Sequence, residues 1–342
     1  MLESTTWRGT QQSSAVIVPF KDGFDQLAHC LASVLAGLPD GARLIAVDDG
    51  SRTDPTSDVA LAPLLRHSAV ALIRHNRNRG PAAARNSGLQ WCWKNGVDTV
   101  ILLDSDCIAP ANFVQCHLAH HHAYPDTLGV AGAIKGCGIG FWSHVDTMLS
   151  WFTSVPRNDC EIEFPYHPPT TNLSFKLHQH SRQLLRLEER LRTGEDVALF
   201  RRLRAAGATV RFKSAPCITH ADRKGFAAVL RHQYRWGLHT FPVRFGNLNA
   251  PIAARITFAL AFIPFAPLYA ALGTWLNMRL WLRHRRRDWP FMPLVYLAYL
   301  LKAAAAVHGT MVPSAPLYPL DRAAADESST TQEGVLQSTL QS

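Results

Sequence analysis

Val100-Ile101-Leu102-Leu103-Asp104-Ser105-Asp106-Cys107 decides the fold of this chain: a short apolar run, partly β-branched and free of Gly and Pro, ends in two carboxylates one residue apart. Such a run reads as a buried strand. Asp104 and Asp106 then stand at or just past its carboxyl end, where ligands bind in open α/β sheets. Two neighbouring hard oxygen ligands suit Mg²⁺ or Mn²⁺ carrying a phosphate-bearing substrate. A simple acidic turn capping the next helix accounts for the same residues, and this stretch alone does not choose between the two.

Upstream, the same pattern repeats. Ala15 to Phe20 is a buried strand closed by Pro19, and Asp25 to Leu35 follows with helical apolar spacing. Leu44 to Val47 is a second strand that runs into Asp48-Asp49-Gly50-Ser51, so it too ends in acid. Val70 to Ile73 is a third, followed by the basic loop Arg74 to Arg79 and by Gly80-Pro81 and the helix-prone Ala82 to Lys94. Pro near N1 with alanines behind it is a good helix start. Strands alternating with helical pattern predict a single Rossmann-like, mostly parallel α/β sheet sandwiched by helices.

Downstream, Phe113 to Tyr124 reads as a helix whose His117, His120, His121 and His122 form an exposed polar face, and Leu128 to Lys135 as a strand. Cys137 to Asn172 is rich in aromatics, Gly and Pro and suits either a lid over a substrate or loose packing over the sheet. Glu195 and Asp196 open a helix that ends at Gly207, with Arg201, Arg202 and Arg204 in its later turns. Acids first and bases last match the helix dipole. A carboxylate in that first turn is equally able to accept a proton from a hydroxyl. Val210 to Phe212 and Ile218 to His220 read as two short strands, and Phe226 to Leu238 as a further helix.

The composition is that of a globular chain, 47% hydrophobic and 18% charged over 342 residues. Its net charge of +9 fits phosphate, polyanion or anionic-lipid partners. Seven cysteines without a Cys-x-x-Cys pair argue against a zinc ribbon or disulfide scaffold and favour a reducing compartment. Met1 to Ser14 is polar and shows no secretory signal. Ile256 to Met278 carries no charge and is long enough to cross a bilayer, though Pro264 and Pro267 interrupt it. An arginine-rich run follows, then Trp289 to Leu301, too short for a clear span and closed by Lys302. Two spans would place those arginines opposite a cytoplasmic domain, against the positive-inside tendency. Segments lying in the interface, with arginines on anionic headgroups, fit better; a soluble helical subdomain is the alternative. The expected organisation is a flexible 1–13, a catalytic domain over 14–240, an apolar membrane-associated region over 241–320 and a disordered tail over 321–342.

Five pieces in order, Val16-Ile17-Val18-Pro19-Phe20, Val47-Asp48-Asp49-Gly50-Ser51, Asn78-Arg79-Gly80-Pro81-Ala82-Ala83-Ala84-Arg85-Asn86, Leu103-Asp104-Ser105-Asp106 and Gly194-Glu195-Asp196-Val197-Ala198-Leu199, resemble the family 2 inverting glycosyltransferases of the A-type fold. The resemblance implies a donor site for a nucleotide-diphosphate sugar, with Pro19, Phe20 and Asp49 along base and ribose and Arg85 near the phosphates. Asp104, Ser105 and Asp106 would be its Asp-x-Asp element, Asp106 the more direct ligand of a divalent Mg or Mn ion and Asp196 the general base. His220 looks like the histidine that completes the metal site in many relatives, and alone it reads equally as a packed histidine. Asn172 and Glu195, with Arg235 and Trp236, would border the acceptor. Processive relatives carry Gln-x-x-Arg-Trp; here His232-Gln233-Tyr234-Arg235-Trp236 replaces the Gln by His, which points to transfer of one sugar or a few. The expected enzyme is non-processive and works at the cytoplasmic face of the membrane, in cell envelope glycan biosynthesis. Its acceptor is a hydroxylated glycan or lipid, and no nucleic acid is involved. The alternatives are a catalytically silent nucleotide-sugar or membrane-binding module, and a sugar nucleotidyltransferase.

Overall fold

Every residue of β1 (Ser14–Phe20) is buried, and its alternate side chains enter two different cores. Ala15 and Ile17 join Val47, Leu89 and Leu102 on one face; Val16 and Val18 join Leu27, Leu31 and Ile101 on the other. A strand covered on both faces needs no polar alternation, which is why these segments are continuous apolar runs. The computed structural model describes residues 13–138, 140–162, 166–178, 181–191, 193–238, 240 and 250–311. In it β2 (Arg43–Asp48), β3 (Val70–Arg74) and β4 (Thr99–Leu103) extend β1 as a parallel group ordered β3-β2-β1-β4. Helix α1 (Phe24–Leu35) covers one face; past a short α2 (Leu61–Leu65), α3 (Pro81–Lys94) covers the other.

Beyond β4 the sheet is mixed. The order continues through β8 (Asn172–Lys176), β6 (Gly129–Gly136), β9 (Val210–His220) and β5 (Cys107–Ile108). Strand β8 is antiparallel to both neighbours, β9 is parallel to β6, and a short β7 (Cys160–Glu161) pairs with β9. The two strands expected at 210–212 and 218–220 are one. Pro216, which cannot donate to a ladder, falls within a register shift opposite Ala131 and Ala133, so the strand runs on past it.

The aromatic stretch after Cys137 is neither lid nor loose loop over its first part. It forms α5 (Phe141–Trp151), whose Val145, Met148 and Leu149 pack with Trp281, Val295 and Tyr299 of the C-terminal helices. Residues 163–165 of that stretch lie outside the described residues. After α6 (Arg182–Leu185), α7 (Glu195–Ala205) and α8 (Phe226–Leu238) come α9 (Ile252–Phe262), α10 (Ala266–His284) and α11 (Met292–Met311). Two helical segments, Ile252–His284 and Arg286–Met311, are long and apolar enough to cross a membrane. Lys302 does not close the second one, as the sequence led us to expect; it lies in mid-helix. Leu260, Phe265, Leu268 and Leu297 of these helices are 60–67% exposed. The N-terminal segment 1–12 and the tail 312–342 lie outside the described residues.

Two of the four histidines of α4 (Phe113–Ala123) are not on an exposed face, while His122 is exposed. His117 and His121 are buried against the sheet, with Ser174 Oγ 2.8 Å from His117 Nδ1 and 2.8 Å from His121 Nε2. His117 Nε2 lies 2.9 Å from Asn172 Oδ1. Burial holds His117 down to about 4 and His121 down to about 3, from 6.5. Above pH 6.5 both are neutral, folded or unfolded. As pH falls below 6.5 the unfolded chain takes up protons that the folded one refuses, so stability is lost toward pH 4 at about 1.4 kcal/mol per pH unit per histidine. Urea midpoints measured from pH 7 to 4.5 should fall more shallowly for His121→Gln than for the wild type.

Candidate active site

The carboxyl ends of β1, β2 and β4 open into one cleft of about 740 Å³. Pro19 and Phe20 line it from β1, and Asp104, Ser105 and Asp106 from the turn after β4. Asp49 follows β2, where its carboxylate gathers the loop between β3 and α3. Its Oδ1 accepts from Arg79 N at 2.8 Å and its Oδ2 from Gly80 N at 2.7 Å, while His75 Nδ1 is 2.9 Å from Oδ1. Gly50 makes this turn possible: φ is +72°, and a Cβ there would lie 2.5 Å from the Arg77 carbonyl carbon. Asp49 therefore borders the cleft with both oxygens already engaged.

The two carboxylates after β4 differ in kind. Asp104 Oδ1 accepts from Arg85 Nη2 at 2.5 Å and Oδ2 from Thr171 Oγ1 at 2.6 Å. Arg85, buried on α3, donates through Nη1 to Glu195 Oε1 at 3.1 Å. One guanidinium thus joins the end of β4 to the start of α7, and Arg85, expected near phosphates, already has a carboxylate on each terminal nitrogen. Burial and the adjacent Asp196 push Glu195 up to about 7. Asp196, its side chain 22% exposed, faces the cleft 3.9 Å from His167 Nε2.

Asp106 has a different partner. Its Oδ1 is 3.3 Å from His220 Nε2, because the register of β5 on β9 sets Cys107 opposite His220 and Ala221 N donates to the Asp106 carbonyl at 3.0 Å. Burial opposes ionisation of both groups, but their mutual attraction wins: Asp106 is held below the usual carboxylate range and His220 above the usual imidazole value. Trp151 packs on His220 with ring centroids 4.5 Å apart. Asp106, Cys107 and His220 have ligand atoms within 4.8 Å of one another. Cys107 is fully buried and is not among the residues that line the cleft, and its soft sulfur suits neither Mg²⁺ nor Mn²⁺, which leaves a carboxylate and an imidazole as the donor set. That pair, opening into the cleft, fits Mg²⁺ or Mn²⁺ completed by phosphate oxygens.

Of the expected acceptor residues, Glu195 and Trp236 line the cleft. Asn172 does not: it is buried in the sheet, where its amide donates to the carbonyls of Ala133 and Pro216 at 2.9 and 3.1 Å. Arg235 is exposed and is not among the lining residues; its carbonyl accepts from Thr193 Oγ1 at 3.5 Å. Thr171, His167, Trp151, Arg223 and Lys302 belong to the site and were missed in the sequence, since no local spacing ties any of them to Asp104, Asp196 or His220.

Residues 15–181, just under half of the chain, match the family model described as Glycosyl transferase family 2, the family whose motifs the five ordered sequence pieces resemble. Among curated proteins it is 26% identical over 243 residues to a "Pre-mycofactocin glycosyltransferase" of Mycobacterium tuberculosis (strain ATCC 25618 / H37Rv), covering 69% of this chain and 49% of that one. It is 28% identical over 253 residues to "Succinoglycan biosynthesis protein ExoU" of Rhizobium meliloti (strain 1021), covering 66% of this chain and 64% of that one. The chain thus spans about half to two thirds of the length of these relatives. A solved structure of GalNAc-T7 with UDP, GalNAc and Mn²⁺ aligns at 16% identity and a TM-score of 0.48, covering 67% of this chain and 47% of that one.

Removing the guanidinium leaves two carboxylates facing each other in a site with no cation between them. Breaking a buried pair of this kind costs about 3–5 kcal/mol. Arg85→Met should lower the urea midpoint accordingly, and Arg85→Met with Glu195→Gln should recover part of the loss.

Proposed function

We propose that the chain is a metal-dependent inverting glycosyltransferase. It moves one sugar from a nucleoside-diphosphate donor to a hydroxyl of a glycan or lipid acceptor, in cell envelope glycan biosynthesis, at the cytoplasmic face of a membrane. The observation that carries this is the convergence of the Asp106–His220 pair and Asp196 on the walls of one cleft. Asp106 and His220 would hold the divalent ion, with Asp104 beside them already engaged by Arg85 and Thr171, and the ion when bound would neutralise charge on the diphosphate leaving group.

The remaining steps use this chain's own groups. Pro19 and Phe20 border the nucleoside end of the cleft, and Asp49 keeps the Arg79–Gly80 backbone against it. In the transfer the acceptor oxygen forms a bond to the anomeric carbon as the bond from that carbon to the diphosphate oxygen breaks. The hydroxyl proton passes to an Asp196 carboxylate oxygen, with His167 able to orient that group. One base on one side of the sugar and the leaving group on the other make a single displacement, so the anomeric configuration inverts. Glu195 stays on Arg85 and holds the first turn of α7 in place.

General-base catalysis of this type contributes about 10²- to 10⁴-fold. Asp196→Asn should therefore lose that much of kcat in a donor-turnover assay, while a thermal-shift titration with Mn²⁺ and UDP or GDP should be unchanged. Wild-type rates in the variant would sink the assignment of the base.

A further inference from the structure

One buried histidine beside the cleft has no role in the transfer itself. His75 is the first residue past β3, and its N continues the ladder by donating to the Asp48 carbonyl at 2.8 Å. It is 6% exposed and is not among the residues that line the cleft. Its ring bridges two elements: Nδ1 lies 2.9 Å from Asp49 Oδ1, just past β2, and Nε2 lies 2.9 Å from Ser87 Oγ, on α3. A carboxylate only accepts, so Nδ1 is the donor to Asp49.

Asp49, unlike His75, lines the cleft. It takes three hydrogens, one from His75 and the others from Arg79 N and Gly80 N at 2.8 and 2.7 Å. A buried carboxylate whose oxygens are filled in this way keeps one orientation. The loop it gathers is also held from outside, since Arg79 Nη2 donates to Glu189 Oε2 at 3.1 Å and a Cβ on Gly50 would lie 2.6 Å from Asn78 N. Asn78, Gly80 and Pro81 of this segment line the cleft together with Pro19 and Phe20, at the end assigned to the nucleoside. His75 therefore ties the end of β3, the acid after β2 and the second turn of α3 to one wall.

We propose that His75 is a positioning residue for the nucleoside of the donor: it fixes the Asp49 carboxylate, and through it the Arg79–Gly80 backbone, in the shape that receives base and ribose. This rests on the glycosyl-transfer reading of the cleft and adds to it a residue that touches neither nucleotide nor metal. A wall formed in advance needs no ordering when the donor binds, so the gain appears as nucleotide affinity. The effect is confined to the nucleoside, because Asp106 and His220 are held by the pairing of β5 with β9.

The test is calorimetric binding of UDP, GDP and pyrophosphate, each with Mn²⁺, to the full chain. His75→Gln puts its amide nitrogen where Nε2 lies and loses the donor to Asp49; His75→Asn puts one where Nδ1 lies and keeps it. His75→Gln should weaken binding of the nucleotide that wild type takes by about ten-fold, the factor carried by one hydrogen bond to a charged group. It should bind Mn²⁺ with pyrophosphate as wild type does, which a general loss of structure would not allow. His75→Asn should retain most of the nucleotide affinity. In an Asp49→Asn background, His75→Gln should cause no further loss, since it acts through that carboxylate. Parallel loss of pyrophosphate, equal losses in His75→Asn and His75→Gln, additivity with Asp49→Asn, or wild-type nucleotide affinity in His75→Gln would each overturn the proposal. A wild type that binds Mn²⁺ with pyrophosphate but neither nucleotide would overturn the donor reading itself, and this proposal with it.

Discussion

The Arg85 guanidinium between Asp104 and Glu195 is the contact on which the site depends. These residues come from α3, from the end of β4 and from the start of α7, and nothing local in the chain holds the three together. Two carboxylates brought that close repel each other unless a cation lies between them. With Arg85 in place, the first turn of α7 is pinned against the sheet and Asp196, the next residue along, faces the cleft. Asp196 thus takes its position from a pair in which it plays no part.

The same contact separates the roles of the two acids that end β4. Asp104 has each oxygen engaged, one by Arg85 and one by Thr171, so its charge is already balanced inside the protein. Asp106, one residue past Ser105, faces His220 and the cleft and has coordination to offer. A motif that looks symmetrical in the chain is a clamp on one side and, in the proposed reading, a metal ligand on the other. The cleft wall runs on from this point through Arg223 to Tyr299 and Lys302 of the apolar helices.

Much of this was legible in the chain. The buried parallel strands read directly as apolar runs, the acids that end β2 and β4 fall where sheet topology puts ligands, and Glu195-Asp196 marks a helix start. The pairings were not legible, because they depend on register and crossing angles. His220 meets Asp106 only because β5 lies antiparallel on β9, 114 positions apart by subtraction of 106 from 220. Asn172 was placed at the acceptor by the resemblance, yet the sheet turns its amide toward His117 and two carbonyls. His117 and His121 looked exposed because their buried partners, Asn172 and Ser174, lie on a strand more than fifty residues away. Lys302 looked like the end of an apolar segment, since a charge in mid-helix makes sense only once the cleft beside it is known.

The central claim is the unequal division between Asp104 and Asp106, and Mn²⁺ binding tests it most directly. Titrating Mn²⁺ in the presence of UDP or GDP and following the free-ion electron paramagnetic resonance signal would compare wild type with Asp104→Asn, Asp106→Asn and His220→Gln. The account predicts that Asp106→Asn and His220→Gln lose most bound Mn²⁺, while Asp104→Asn is less stable but still binds the ion. Retention of Mn²⁺ by Asp106→Asn together with its loss in Asp104→Asn would contradict the account.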